Sequence, residues 1–164
     1  MLVVATSLRE LSFSRLMEVY IEGNMEKAQS FWPDLPEGQG LLYAEQEFYQ
    51  YLQEGFFVYP GAVYCIWEVQ GRYVSALRLE PYEDGLLLEA LETAPDFRRK
   101  GYAEKLMREV LARWMGIKIY AHVDKRNIAS LNIHCRCGFE RIKEYAVYID
   151  GSVNERCCTL VHKS

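Results

Sequence analysis

Between Ala94 and Leu106 the sequence reads APDFRRKGYAEKL, with three cations, Arg98, Arg99 and Lys100, running into Gly101. A helical pattern starts just after. The first turn of a helix leaves backbone N–H groups without internal partners, and the dipole there favours an anion. Gly101 lets a ligand approach the backbone with no Cβ in the way, and Ala103 is also small. Cations at a helix N-terminus are unfavourable unless something negative joins them, which argues for a bound anion. The spacing is neither that of a P-loop nor that of a dinucleotide fingerprint. The alternative is a solvated basic turn with a structural glycine.

Other groups before Pro60 suit a different ligand. Glu18, Glu22, Glu45 and Glu47 accompany Tyr43, Tyr49 and Tyr51. Carboxylates with aromatic rings fit a cationic amine, but a solvated helix face with aromatics in the core is the simpler reading of that stretch. The five cysteines have no C-x-x-C spacing and are read as reduced thiols, with no metal site expected.

The elements that must position these groups belong to a chain of 164 residues, half hydrophobic, with a net charge of -4. Residues 1–164 are read as a single domain. The acidic balance argues against a nucleic-acid partner. The apolar run Leu2–Ala5 is too short for a signal peptide, and no run approaches a bilayer span, so the expectation is a soluble cytoplasmic protein with no membrane partner.

Leu2–Ala5 reads as a first strand, followed by a helix that Ser12 would cap and that carries Leu16, Val19 and Tyr20. Residues 31–40, with two prolines and two glycines, read as a loop. Leu42–Tyr51 reads as a helix. Residues 62–69, 72–80 and 86–93 read as three strands joined by tight turns. Tyr102–Met115 is the clearest helix, with Gly116 at its C-terminal end. A strand over 117–123, a short helix over 127–137 and a last hairpin of 139–149 with 155–162, turning at Asp150-Gly151, complete the chain. This order predicts a mixed α/β fold, a single mostly antiparallel sheet flanked by helices.

The stretch PDFRRKGYAEKLM places Arg98, Gly101 and Ala103 at the fixed positions of R/Q-x-x-G-x-G/A. It resembles the acyl-CoA-binding signature of the GNAT superfamily of N-acetyltransferases. Downstream, NIASLNIHCRCGF is similar to the superfamily's N-x-x-A-x-x-x-Y-x-K-x-G-F block. Asn127, Ser130, Arg136, Gly138 and Phe139 fall in register, with Ser for Ala and Arg for Lys.

The resemblance implies a GNAT-like fold and acetyl-CoA as cosubstrate. It puts the diphosphate on the amides from Arg99 through Lys100, Gly101 and Tyr102 to Ala103, with Arg98 adding charge. It runs the pantetheine arm along the third strand near Leu91 and Thr93, in a slot between splayed strands, with Asn127 and Ser130 touching the arm or the adenosine end. The implied reaction is direct transfer of an acetyl group to a primary amine, on a small molecule or a peptide, within a ternary complex. A homodimer is left open.

That reaction needs a neutral amine, which at pH 7 costs about 4.6 kcal/mol for a group of pKa near 10.4. The base expected from the resemblance is Glu89 on the third strand or His122, five residues before Asn127. Strand alternation would put Glu89 and Glu92 on opposite faces, with Glu89 sharing the face of Leu91 and Thr93. His134 holds the position of the tyrosine that serves many relatives as acid toward the leaving thiolate. Cys135 and Cys137 have no matched base, so no cysteinyl intermediate is expected. The alternatives are a non-catalytic module that binds acetyl-CoA, and an interaction domain that keeps only the fold.

Overall fold

Apolar residues recur at period two along β2 (Val63–Val69) and divide between two cores. Cys65 and Trp67 join one side of the sheet, Tyr64 and Ile66 the other. The computed structural model describes residues 1–163, and of Glu37 the backbone only. Its seven-stranded sheet has the order β1-β2-β3-β4-β5-β9-β6. The strands are β1 (Leu2–Ala5), β2, β3 (Arg72–Tyr82), β4 (Gly85–Thr93), β5 (Lys118–Asp124), β6 (Glu140–Lys143) and β9 (Cys157–His162). Every neighbouring pair is antiparallel except β4 and β5.

One face carries α4 (Tyr102–Arg113), whose Leu106, Met107 and Val110 are fully buried against Leu77, Leu79 and Ile119. The other face carries α1 (Phe13–Val19), α2 (Ile21–Phe31), α3 (Glu37–Gln50) and the π-helical turn Tyr51–Phe56 that extends α3. Leu16, Val19, Leu52 and Phe56 close that second core. The short helix α5 (Ile128–Arg136) follows β5. The mixed α/β class expected from the element order is the one observed.

Three local readings change. The expected loop over residues 31–40 is shorter, because α3 begins at Glu37. Pro36 supplies a pre-set φ of -52° at the helix cap, and Gly40 allows close approach to Ala28 of α2. Ser12 sits at the cap of α1, but its hydroxyl makes no cap bond and lies 3.2 Å from that of Ser14. The expected last hairpin splits in two. Beyond β6, the chain forms a separate ribbon of β7 (Ala146–Val147) and β8 (Val153–Asn154), with Gly151 in its turn.

The feature that positions the site is a fork. β4 and β5 pair in parallel over Gly85–Leu88 and Lys118–Ala121 only. A Cβ at Gly85 would overlap the Lys118 carbonyl oxygen, so glycine permits the close approach at the joined end. Beyond Leu88 the two strands part.

Candidate active site

A β-bulge shapes the open arm of the fork. Across from β3, Glu89 stands opposite Arg78 and Glu92 opposite Ala76, so β4 spends one extra residue there. Ala90 in the bulge takes φ +52°, unusual for a residue with a Cβ. The Tyr20 hydroxyl, at the junction of α1 and α2, donates to the Ala90 carbonyl at 2.7 Å and ties the bulge down.

The bulge overturns the expected alternation. Arg78 and Ala76 share a face, so Glu89 and Glu92 share it too, on the side of α1 to α3. Thr93 stands opposite Ser75 on the other side, its hydroxyl 3.1 Å from that of Ser75. Glu89 therefore does not share the face of Thr93.

Three cavities meet along this fork. A cleft of about 730 Å³ lies between the start of α4, the end of β4 and α5. The expected coenzyme residues Leu91, Thr93, Arg98, Arg99, Gly101 and Tyr102 line it, as do Ala103, Asn127 and Ser130. A smaller cavity of about 180 Å³ sits inside the fork and shares Leu91, Asn127 and Ser130 with the cleft. Glu89, His122 and His134 all line this smaller space. A third, of about 520 Å³, opens on the far side and shares Glu89 with the second.

The cleft fits a diphosphate at its α4 end. Arg99 and Gly101 take φ +61° and +79°, a left-handed approach that leads into the helix. The amides of Tyr102, Ala103 and Glu104 form the first turn, whose N–H groups have no intrahelical acceptors. A Cβ at Gly101 would meet nothing within 4 Å, so the space above it is open.

The three cations diverge. Arg98 turns back to bond the Thr93 carbonyl at 3.1 Å and Glu92 at 3.2 Å, and also pairs with Glu22 of α2. It braces the loop against α2 and β4 and is not free to serve an anion. Lys100 donates to the Asp96 carbonyl at 2.9 Å and lies over the Phe97 ring, outside the lining of the cleft. Arg99 is the one of the three with no side-chain partner among the described residues.

At the other wall, the Asn127 side-chain oxygen accepts from the Ser130 N–H at 3.1 Å and caps α5. Its amide NH₂ group remains available to a ligand. Arg136, in the motif block but not foreseen as lining the site, also borders the cleft and pairs with Glu104 at 2.9 Å.

Inside the fork, buried polar atoms converge without partners. Among the described residues these include Glu89 Oε2, His122 Nε2 and His134 Nε2. Buried polar groups are ordinarily satisfied, so three orphans around one cavity mark a place for a ligand or water. The described residues hold no set of three acidic, histidine or cysteine side chains placed to hold a metal ion.

His134 is 2% exposed, and its Nδ1 lies 2.8 Å from the Ser130 carbonyl. A carbonyl only accepts, so Nδ1 carries the proton and Nε2 presents a bare lone pair. Burial pushes the imidazole pKa down, against a smaller rise from the Ser130 bond. To donate from Nε2, as the replaced tyrosine would, His134 must become an imidazolium that burial opposes. The His122 pKa is also lowered, by burial first and then by Lys143.

The carboxylate reading gains a partner that the sequence did not single out. Burial, then a hydrogen bond and charge repulsion from Glu80, raise the Glu89 pKa to about 7, and Arg78 opposes the rise. Glu80 is 8% exposed, and its position two residues from Arg78 puts it on the same face as Glu89. A second carboxyl so placed disfavours ionisation of Glu89 and helps it keep its proton. The available signal was a lone acid after leucines in each of two strands, LRLE with Arg78 and the otherwise apolar LLLE. Tyr20, Tyr59 and Tyr148 went unforeseen, because they reach the site only through tertiary folding.

A splayed parallel pair, a bulged strand and an amide-rich helix start define an acyl-CoA-dependent transferase fold. The chain belongs to the GNAT acetyltransferase family, whose model matches residues 23–139. It is an N-acetyltransferase that uses acetyl-CoA. Among solved structures it is similar to the PaiA N-acetyltransferase of Thermoplasma acidophilum in complex with coenzyme A. That match has 11% identity and a TM-score of 0.62, over 100% of this chain and 99% of that one.

A spermidine N-acetyltransferase chimera from Vibrio cholerae and hSSAT matches at 16% identity and a TM-score of 0.58, over 99% and 95% of the two chains. The ribosomal-protein-S18-alanine N-acetyltransferase of Escherichia coli matches at 15% identity and a TM-score of 0.58, over 99% and 94%. At these identities the likeness is one of fold. No curated protein matches the chain in sequence. Among the described residues no helix is long and apolar enough to cross a membrane.

Proposed function

We propose that the enzyme transfers the acetyl group directly to a primary amine in a ternary complex, with Glu89 as the proton acceptor. The observation that carries this is that the three cavities adjoin, sharing Leu91, Asn127 and Ser130 on one side and Glu89 on the other. Donor and acceptor ends meet at the fork, and Glu89 lines both the fork and the acceptor side. This arrangement favours the enzyme over a non-catalytic coenzyme-binding module or an interaction domain, because neither of those needs a second entrance.

In this reading the first-turn amides of α4 and the Arg99 side chain hold the diphosphate. The open edge of β4 from Glu89 to Thr93, unpaired with β5, offers backbone groups to the extended arm. Acetyl-CoA supplies the activated acyl group. Glu89, with a pKa of about 7, is poised to take a proton near neutral pH. Enclosure at the fork lowers the amine's own pKa and reduces the cost of neutralising it.

His134 presents an Nε2 acceptor and His122 an unpartnered Nε2 at the small cavity, where bridging water can pass a proton between them and Glu89. Neither Cys135, which is exposed, nor Cys137, which is buried, lines the fork, so no acyl-cysteine step enters. Five free cysteines fit a reducing compartment and support a cytoplasmic setting.

Titration calorimetry with acetyl-CoA and Gly101→Glu tests the donor half. The wild-type protein should release heat and gain thermal stability, about 2.7 kcal/mol at a hundredfold excess over Kd. The variant, with a negative charge at the helix start and a strained φ, should do neither. Absence of acetyl-CoA binding by the wild type sinks the reading.

A further inference from the structure

The 520 Å³ cavity at the acceptor end has one charged wall and several apolar ones, within the size range of small-molecule sites. Resting on the transferase reading above, we infer that its occupant is a small primary amine with an aromatic or similarly flat apolar body.

The charged wall is the Glu80–Glu89 pair. Glu80 and Glu89 both line the cavity, and carboxyls so placed attract an ammonium. The Glu89 Oε2 atom is buried and without a partner among the described residues, so it is ready to accept a bond from that ammonium. Because Glu89 also faces the fork, an amine held there points its nitrogen toward the space between β4 and β5.

A third carboxylate, Asp150, stands at the rim, where its Oδ1 accepts from the Ser152 N–H at 2.9 Å and from its hydroxyl at 2.6 Å, which fixes it in the β7–β8 turn. The Arg78 guanidinium lies 4.9 Å from the Tyr51 ring centre, and its charge opposes the rise in the Glu89 pKa, so one cation already stands near that carboxyl.

The remaining lining supplies Tyr51, Tyr59, Pro60, Pro81, Tyr148 and Ile149. Tyr59 is 59% exposed and Ile149 56%, which leaves apolar surface uncovered at the mouth of a deep acid site. The Tyr148 hydroxyl is bonded by Asn154 at 2.7 Å, which fixes that ring at the wall. Flat rings and proline faces suit an aromatic body. They offer few partners for the backbone amides of a peptide.

The test is coenzyme A thiol release by the full chain with acetyl-CoA and five amines: 2-phenylethylamine, tyramine, n-butylamine, putrescine and spermidine. An N-terminal peptide amine serves as a sixth. The expected result is a kcat/KM for the two arylalkylamines about tenfold or more above that for n-butylamine, with the polyamines and the peptide below both. Tyr59→Ala, at an exposed position that folding tolerates, should lower the ratio of 2-phenylethylamine to n-butylamine kcat/KM by about tenfold.

Preference for putrescine, spermidine or the peptide overturns the inference, as does an unchanged ratio in Tyr59→Ala. Saturation-transfer NMR of 2-phenylethylamine with the coenzyme A-loaded protein gives a readout free of turnover, and absence of ring contacts also overturns it. The transferase reading fails separately, through absence of acetyl-CoA binding in calorimetry.

Discussion

The two halves of the β4–β5 fork have opposite characters. From Gly85 to Leu88 the strands are joined, and Leu87 and Leu88 are buried among apolar neighbours. From Glu89 onward the strands part, and Glu89, His122 and His134 leave buried polar atoms without partners among the described residues. The closed half contributes stability. The open half gives some up, holding a strained Ala90, a carboxyl with a raised pKa and unsatisfied polar atoms in a place where substrates can satisfy them. The same strand thus acts as anchor and as active-site wall, with a single inserted residue between the two roles.

The largest expected break in this contrast is chemical. Glu89→Gln should lower kcat/KM by about 10² to 10⁴ while acetyl-CoA affinity by calorimetry stays near the wild-type value. Loss of affinity to the same degree would move Glu89 from proton transfer to coenzyme binding.

In the closed half, Leu88→Ala should lower unfolding free energy by about 2–5 kcal/mol, read by denaturant melts. A loss confined to activity would mean that the joined half is not the anchor. A smaller effect is expected where the halves meet. Tyr20→Phe removes the bond to the Ala90 carbonyl and should cost about 1 kcal/mol of stability, with a larger fractional loss of kcat than of acetyl-CoA affinity.

The smallest and sharpest effect is on pH dependence. Glu89 must be ionised to act, so kcat/KM should rise with pH through about 7. Glu80 is one cause of that raised value, so Glu80→Gln should move the limb to lower pH. The stability sign runs the other way. A carboxyl whose pKa is raised on folding favours the fold below its unfolded value, and that contribution is lost as pH climbs through about 7. Glu89→Gln should therefore gain stability relative to wild type above pH 7, and a gap that does not vary with pH between 5 and 9 would contradict the raised Glu89 pKa.

The open half is partly legible in the sequence. The glycine and first-turn amides of α4 were read in place because a helix start is built from contiguous residues. The cations beside it were read as one patch, but three neighbours on a turn project in different directions. Arg98 found Glu22 and Glu92, Lys100 found Asp96, and only Arg99 of the three faces the cleft with no side-chain partner among the described residues. The loop over residues 31–40 was overextended because Gly38 and Gly40 were read as helix breakers, whereas Gly40 serves contact between α2 and α3.

By itself the sequence determined the order of the elements, the amphipathic α4 and the helix start that can receive an anion, all of which depend on residues adjacent in the chain or one turn apart. Only the tertiary structure decided that Glu89 faces Glu80 and not Thr93, and that His134 is locked with Nε2 bare. Strand alternation predicts faces only while the register is unbroken, and one bulged residue reverses every face beyond it. Whether a carboxyl holds its proton near neutral pH depends on which strand lies beside it and how deeply both are buried, and the pairing of β3 with β4 settles that here.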